Sequence, residues 1–109
     1  MKDEVITSVR NPLVKRIKSI STKKGREENS MLLIEGTNLL LESLKSLIFP
    51  AEIILTSLWL EKNQNIVSSF PQGIKLHIVS EKVLRASLTT KTPDGVAAFI
   101  PLDFLPKTK

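Results

Sequence analysis

The sequence predicts a small α/β domain: a three-layer α/β/α sandwich around a mostly parallel four-stranded sheet, preceded by a basic helix. Short apolar runs with the composition of strands alternate along the chain with segments of helical periodicity. This alternation is typical of helices that cover both faces of a parallel sheet. A chain of 109 residues is also long enough to bury the core of one such domain.

The basic helix is predicted to begin at Asn11-Pro12, because asparagine suits the N-cap and proline suits the first helical position. Beyond it, apolar residues lie on one face at helical spacing and lysines lie on the other, namely Leu13, Ile17 and Ile20 against Lys15 and Lys18. Gly25 is expected to end this helix. Residues 26–30 would then form a polar connector.

Four predicted strands follow, separated by helical segments. The strands lie at residues 31–34, 52–56, 75–79 and 96–100. The first of them is an unbroken apolar run, which favours a strand covered on both faces. The helical segments are a leucine-rich stretch at 40–48, a short helix from Ser57 and a helix from Ser80. The tail after residue 100 contains two prolines and no periodicity, which indicates the start of a linker.

Half of the basic residues lie in the first quarter of the chain. Residues 1–26 contain eight basic residues and two acidic ones, a net charge of +6, whereas the whole chain carries +5. A concentrated basic segment on a near-neutral body indicates a surface for phosphate backbones. A solvated helix that only keeps the protein soluble is the alternative. The candidate contacts are Arg10, Asn11, Lys15, Arg16, Lys18, Lys23, Lys24 and Arg26.

The composition excludes several classes of site. The absence of cysteine excludes disulfides, thiolate metal ligands and a cysteine nucleophile. The longest apolar runs are about six residues, far below the ~20 that span a membrane, and no apolar signal segment follows the N-terminus. We therefore expect a cytoplasmic protein without a membrane partner.

Catalytic motifs are scarce. His77 is the only histidine and lies between apolar neighbours in a predicted strand, so a structural role is favoured over a metal or catalytic site. The four glycines form no phosphate-binding motif. Aromatic residues do not alternate with the basic ones, so a base-stacking platform is not expected.

Two loops are candidates for ligand contact. Gly36, Thr37 and Asn38 lie where a predicted strand leads into a helix, a place where backbone N–H groups and the helix dipole favour an anion. Simple helix capping is the alternative reading of these residues. The second loop, residues 89–95, is rich in hydroxyl groups, and its candidates are Thr90, Lys91 and Thr92. Its alternative reading is an ordinary turn before a strand.

Three motifs in one order carry a family resemblance: Ile6-Thr7-Ser8 with Asn11-Pro12-Leu13-Val14-Lys15, then Leu33-Ile34-Glu35-Gly36, then Thr90-Lys91-Thr92-Pro93-Asp94-Gly95-Val96. With the basic first helix, they resemble the N-terminal substrate-binding domain of SpoU-type (TrmH superfamily) RNA ribose 2′-O-methyltransferases. The resemblance covers residues 5–101.

The resemblance implies a fold similar to that of kink-turn-binding ribosomal proteins and a structured rRNA or tRNA partner, not DNA. Residues 102–109 would begin a linker to a methyltransferase domain that binds S-adenosylmethionine and forms a homodimer. Since the motifs of that domain do not occur here, this chain alone is expected to bind no cofactor and to catalyse no transfer. Gly36, Thr37 and Asn38 match an RNA-contacting loop of the ribosomal proteins, while Asp94 stands where most family members have glutamine.

Two other readings stay open. The chain is alternatively a stand-alone RNA-binding protein of the ribosomal type with no enzyme attached. The other alternative is a small α/β enzyme that uses Glu35 or His77, which the lack of partner residues argues against.

Overall fold

A computed structural model describes residues 4–90 and 93–104. The elements confirm a small α/β domain with four strands, all close to their predicted positions. In chain order they are α1 (Pro12–Ile20), α2 (Lys23–Asn29), β1 (Met31–Glu35), α3 (Thr37–Lys45), β2 (Glu52–Thr56), α4 (Ser57–Lys62), α5 (Gln64–Ser68), β3 (Lys75–Val79), α6 (Glu81–Ser87), β4 (Val96–Pro101) and a 3-10 turn (Leu102–Phe104). Within the described ranges, no helix has the length and apolar character needed to cross a membrane.

The sheet is mixed, so the prediction of a mostly parallel sheet is wrong. The strand order is β1-β4-β2-β3, and only β2 and β3 are parallel, while β4 is antiparallel to both β1 and β2. The reason lies at the start of β4, because Gly95 and Val96 are bound at the edge of the sheet where β1 and β2 end. There the Gly95 carbonyl accepts from Thr56 N at 3.0 Å, and the Val96 carbonyl accepts from Gly36 N at 2.9 Å. The alternation of strand and helix alone does not reveal at which edge of the sheet β4 begins.

Two apolar clusters form the core on either side of the sheet, as a three-layer sandwich requires. On one face, α1 and α6 pack against residues such as Ile54 and Phe99. On the other face, α3, α4 and α5 pack against residues such as Ile53 and Leu55. Neighbouring residues of β2 therefore enter opposite clusters, as the alternation of a strand dictates.

The basic helix α1 is part of a core layer and does more than precede the sheet. Its apolar stripe is fully buried, and the four residues concerned are Leu13, Val14, Ile17 and Ile20. Each such side chain stabilises the fold by roughly 1.5–3 kcal/mol relative to exposure. The burial of this stripe fixes which side of α1 faces the solvent.

Gly25 does not end the first helix, contrary to the sequence prediction. It lies inside a second helix, α2, which begins after Thr22, whose hydroxyl oxygen accepts from Gly25 N at 3.0 Å. The predicted polar connector is therefore helical up to Asn29. A glycine is needed there for close packing, because a Cβ atom would lie 1.8 Å from the Ser19 carbonyl oxygen.

Two further differences concern the edges of the fold. Strand β1 was expected to be covered on both faces, but all five of its residues are only half-buried, since β1 is an edge strand. The leucine-rich helix α3 was expected to reach residue 48 but ends at Lys45. Two residues later, Leu47 adopts a left-handed conformation with φ of 60°, which a continuing α-helix does not allow.

Candidate nucleic-acid interface

The basic face of the molecule consists of exposed cations held by the buried stripe of α1. Among the predicted contacts, the exposed ones are Arg10, Lys15, Lys18, Lys23 and Lys24. Lys15 and Lys18 are three residues apart and therefore neighbours on the helix surface. Lys24 lies 4.0 Å from the Glu28 carboxylate, but both side chains are largely exposed and such a pair contributes little.

Arg16 is held against the sheet. Its guanidinium forms an ion pair with the Glu52 carboxylate and lies 4.6 Å above the centre of the Phe99 ring. The same carboxylate oxygen lies 2.6 Å from Nε2 of His77. Burial acts to raise the pKa of the Glu52 carboxyl, but the hydrogen bonds and charges of His77 and Arg16 outweigh it, so this pKa lies below its ordinary value. The cluster joins α1 to β2 and β3.

Asn11 and Arg26 bind the two ends of α1. The Asn11 side-chain oxygen accepts from Leu13 N at 2.9 Å, which confirms the predicted N-cap. At the other end, Nη1 of Arg26 donates to the carbonyl oxygens of Ile20 and Ser21 at 3.4 and 3.2 Å. Carbonyl groups at a helix C-terminus otherwise lack partners, so this arginine acts as a cap.

The two predicted ligand loops meet at one edge of the sheet. Strands β1, β2 and β3 end there and β4 begins there, because Glu35 is paired with Ala97 and Thr56 with Val79. Ile6 also pairs with Val79, so the chain enters α1 close to the same edge.

A carboxylate of the protein itself occupies the N-terminus of α3. Thr37 N donates to Oδ2 of Asp94 at 2.8 Å, while Gly36 makes no side-chain cap and has φ of 103°. Asp94 thus binds at the place where an external anion was predicted to bind. The third residue of that loop, Asn38, is exposed.

The Thr37 hydroxyl stabilises this loop through a hydrogen bond within the protein. It accepts from the indole Nε1 of Trp59 at 2.9 Å, and Trp59 is almost fully buried. Gly95 packs on the same indole: a Cβ there would lie 3.0 Å from Cβ of Trp59, and its φ is 100°. The two loops are therefore braced by one tryptophan.

Glu35 holds the second loop. Its carboxylate accepts hydrogen bonds from the hydroxyl groups of Thr89, at 3.1 Å, and of Thr90. The other two predicted residues of this loop, Lys91 and Thr92, lie outside the described residues. The alternative of an enzyme gains no support, because Glu35 is at the end of β1, while His77 bonds to Glu52 at the start of β2.

A cleft of about 520 Å³ opens at this edge between α4 and α6. Its lining includes Leu58 and Lys62 of α4, Leu84 and Arg85 of α6, and Asp94. The sequence analysis missed it because the lining comes from separate segments of the chain. One sequence feature pointed to an apolar surface here. A helix cannot bury three successive side chains on one face, so the run Leu58-Trp59-Leu60 leaves an apolar side chain outside the core.

The structure combines an α/β sandwich with an exposed basic helix and two loops that are braced at one edge of the sheet. Residues 11–98 match the family described as the MRM3-like substrate binding domain, so the chain belongs to this family. The predicted resemblance to the substrate-binding domain of SpoU-type methyltransferases is confirmed.

Known relatives agree with this assignment. A Synechocystis sp. protein named as an uncharacterized tRNA/rRNA methyltransferase, slr1673, is 36% identical over 99 residues, which are 90% of this chain and 36% of that protein. The 23S rRNA (guanosine(2553)-2′-O)-methyltransferase RlmP of Bacillus subtilis is 36% identical over 93 residues, which are 85% of this chain and 36% of that protein. The crystal structure of an RNA 2′-O ribose methyltransferase superposes with a TM-score of 0.77 at 25% identity, covering 91% of this chain and 38% of that one. This chain therefore spans about a third of the length of these relatives.

Proposed function

We propose that this domain selects structured RNA, rRNA or tRNA, for a ribose 2′-O-methyltransferase. The proposal rests on the basic face of α1 and α2, whose cationic side chains are exposed to solvent. Four buried residues of α1 fix the orientation of that helix. Exposed lysine and arginine side chains of this kind neutralise phosphates and position an RNA without reading its sequence.

The basic residues divide into two groups under this proposal. Arg10, Lys15, Lys18, Lys23 and Lys24 contact phosphates. Arg16 and Arg26 orient the helix, because their guanidinium groups bind Glu52 and the end of α1. The loop residues 36–38 and 90–92 also contact the RNA, and Asn38, which is exposed, contacts a base edge or a 2′-hydroxyl.

The remaining proposals concern the whole protein. Residues 5–101 form the RNA-binding domain, similar in fold to kink-turn-binding ribosomal proteins, and 102–109 begin the linker. The relatives named above are methyltransferases about three times as long as the matched segment. A methyltransferase domain outside this chain supplies the S-adenosylmethionine site and the homodimer contact, and the protein acts in the cytoplasm.

The proposal is tested with a double variant of the basic face. Lys15→Ala with Lys18→Ala removes two neighbouring cations from α1, and we expect an affinity for rRNA hairpins at least tenfold lower at low salt. The matched control is Lys45→Ala with Lys75→Ala, which removes the same charge from exposed positions on α3 and β3. Equal losses in both variants, measured by fluorescence anisotropy, would contradict a specific basic face.

A further inference from the structure

The cleft between α4 and α6 has an uneven chemistry. Its apolar lining includes Leu84 of α6, which is buried, and Leu58 of α4, which is 50% exposed although it is a leucine. Cationic side chains, Lys62 and Arg85, line it from the two flanking helices, and Arg85 lies 3.8 Å from the carboxylate of Glu81, which also lines the cleft; both side chains of this pair are largely exposed. The carboxylate of Asp94 lies at the end where the loop enters β4.

The Asp94 carboxylate has acceptor capacity left for a ligand. Its Oδ2 accepts from Thr37 N, and among the described residues Oδ1 has no hydrogen-bond partner. The backbone bond holds the group in place, so it is oriented before any ligand arrives. A fixed carboxylate accepts hydrogen bonds only, and a ligand that fits it must present N–H or O–H donors.

A ligand that matches all three features is partly apolar, carries donors on one edge and is flanked by negative charge. An unpaired nucleotide of an RNA has this chemistry: its base lies in the cleft and its phosphates reach the cations. The volume of about 520 Å³ lies within the usual range of ligand pockets, roughly 300–1,000 Å³.

We propose that the cleft binds one unpaired guanine of the RNA. Guanine is the base whose Watson–Crick edge presents two adjacent donors, and the carboxylate accepts from both, through Oδ1 and through the second lone pair of Oδ2 beside the Thr37 N bond. Uracil presents a single donor between two carbonyl oxygens, which face the carboxylate unfavourably. Leu58 contacts the face of the base, and Lys62 and Arg85 contact the adjoining phosphates. This inference rests on the proposed function.

The test uses RNA hairpins that differ at one position. Binding of the 109-residue chain is measured for a hairpin with a single bulged guanosine, for the same hairpin with a bulged uridine or an abasic bulge, and for the fully paired hairpin. We expect the guanosine bulge to bind about tenfold more tightly than the uridine bulge, the size of effect of one good bidentate contact.

Two variants assign the preference to the cleft. Asp94→Asn retains an oxygen for Thr37 N but replaces one acceptor by an NH₂ donor, and we expect the preference for guanosine over uridine to disappear. Leu58→Ala removes an exposed leucine, and we expect it to weaken binding of both bulges relative to the paired hairpin. Glu61→Gln, an exposed carboxylate outside the cleft lining, is the control and should change neither ratio.

The outcomes separate this inference from the proposed function. If all four hairpins bind equally to the unmodified chain, or if Asp94→Asn leaves the guanosine preference intact in a protein that unfolds normally, the cleft is not a guanine site. The RNA-binding proposal stands in that case, provided that binding weakens with salt. If no hairpin binds even at low salt, the proposed function fails as well.

Discussion

Gly25 shows how one residue sets the distance between two helices. Alanine is the better helix former by up to about 1 kcal/mol, which taken alone favours Gly25→Ala. The new Cβ atom, however, would lie 1.8 Å from the Ser19 carbonyl oxygen, and that atom belongs to the backbone and cannot move aside cheaply. The clash outweighs the gain in propensity.

We therefore predict that Gly25→Ala lowers the free energy of unfolding by about 1–3 kcal/mol, the usual cost of overpacking. Urea denaturation measures the change. Glu27→Ala, an exposed position in the same helix, serves as the control and should stay within about 0.5 kcal/mol of the unmodified chain. A stabilised Gly25→Ala variant would show that α1 and α2 do not approach as closely as described.

Glu52 makes the free energy of unfolding depend on pH. Its pKa lies below the ordinary value of 4.5 because of His77 and Arg16, so the folded state favours the ionised carboxylate. A group with a lowered pKa contributes stability above its unfolded pKa and loses it as the pH falls through the folded value. The contribution is thus present at neutral pH and disappears in acid.

The corresponding prediction compares Glu52→Gln with the unmodified chain. The variant should be less stable at pH 7, and the difference should shrink as the pH falls below about 4.5, as followed by denaturant unfolding at several pH values. Glu42→Gln is the matched control, since Glu42 is exposed and forms no ion pair among the described residues. A difference that is constant with pH would contradict the role of the charge.

Among the helices, α3 shows that a cap can come from a distant part of the chain. Its N-cap residue, Gly36, has no side chain, and the cap is supplied by Asp94, which accepts from Thr37 N across 57 residues of the chain. Such a hydrogen bond stabilises the helix N-terminus and also ties β4 to α3. Asn38 makes no capping bond there and is exposed.

This arrangement predicts opposite results for two neighbouring substitutions. Asp94→Ala should lower the free energy of unfolding by about 0.5–2 kcal/mol, the usual value of a lost cap. Asn38→Ala should leave stability within about 0.5 kcal/mol and instead reduce the preference for a substrate RNA over a scrambled one. Thermal unfolding and competition binding measure the two effects. If Asn38→Ala lowers stability and leaves the RNA preference unchanged, the loop of residues 36–38 has only a structural role.

The charge distribution of the molecule as a whole predicts its response to salt. The exposed cations of α1 and α2 are attached to a body that is nearly neutral, because residues 27–109 contain eight basic and nine acidic residues. Each phosphate contact steepens the salt dependence of RNA affinity by about 0.7–0.9 log units per decade. Four or five contacts therefore predict a slope of about −3 to −4.5.

The slope is measured by RNA titrations between low and moderate salt. The Lys15→Ala and Lys18→Ala double variant should reduce its magnitude by about two contacts, or ~1.4–1.8 log units per decade. An affinity that stays flat across salt would show that phosphates do not dominate binding.

The sequence by itself determined the position of the strands, the N-cap at Asn11 and the buried stripe of α1, because these depend on periodicity and on residues close together in the chain. The three-layer arrangement followed from the same patterns. The direction of β4 did not, since it depends on the sheet edge at which Gly95 and Val96 are bound to the ends of β1 and β2.

Only the tertiary structure decided which predicted site residues are exposed and which are held. Arg16 meets Glu52 across 36 residues, and Thr37 meets Asp94 across 57, so no local pattern reveals that these groups are partners. The cleft has the same origin, because its walls come from helices that are adjacent only in the folded chain. Local sequence sets what each segment becomes; contacts between distant segments set which side chains remain free to bind.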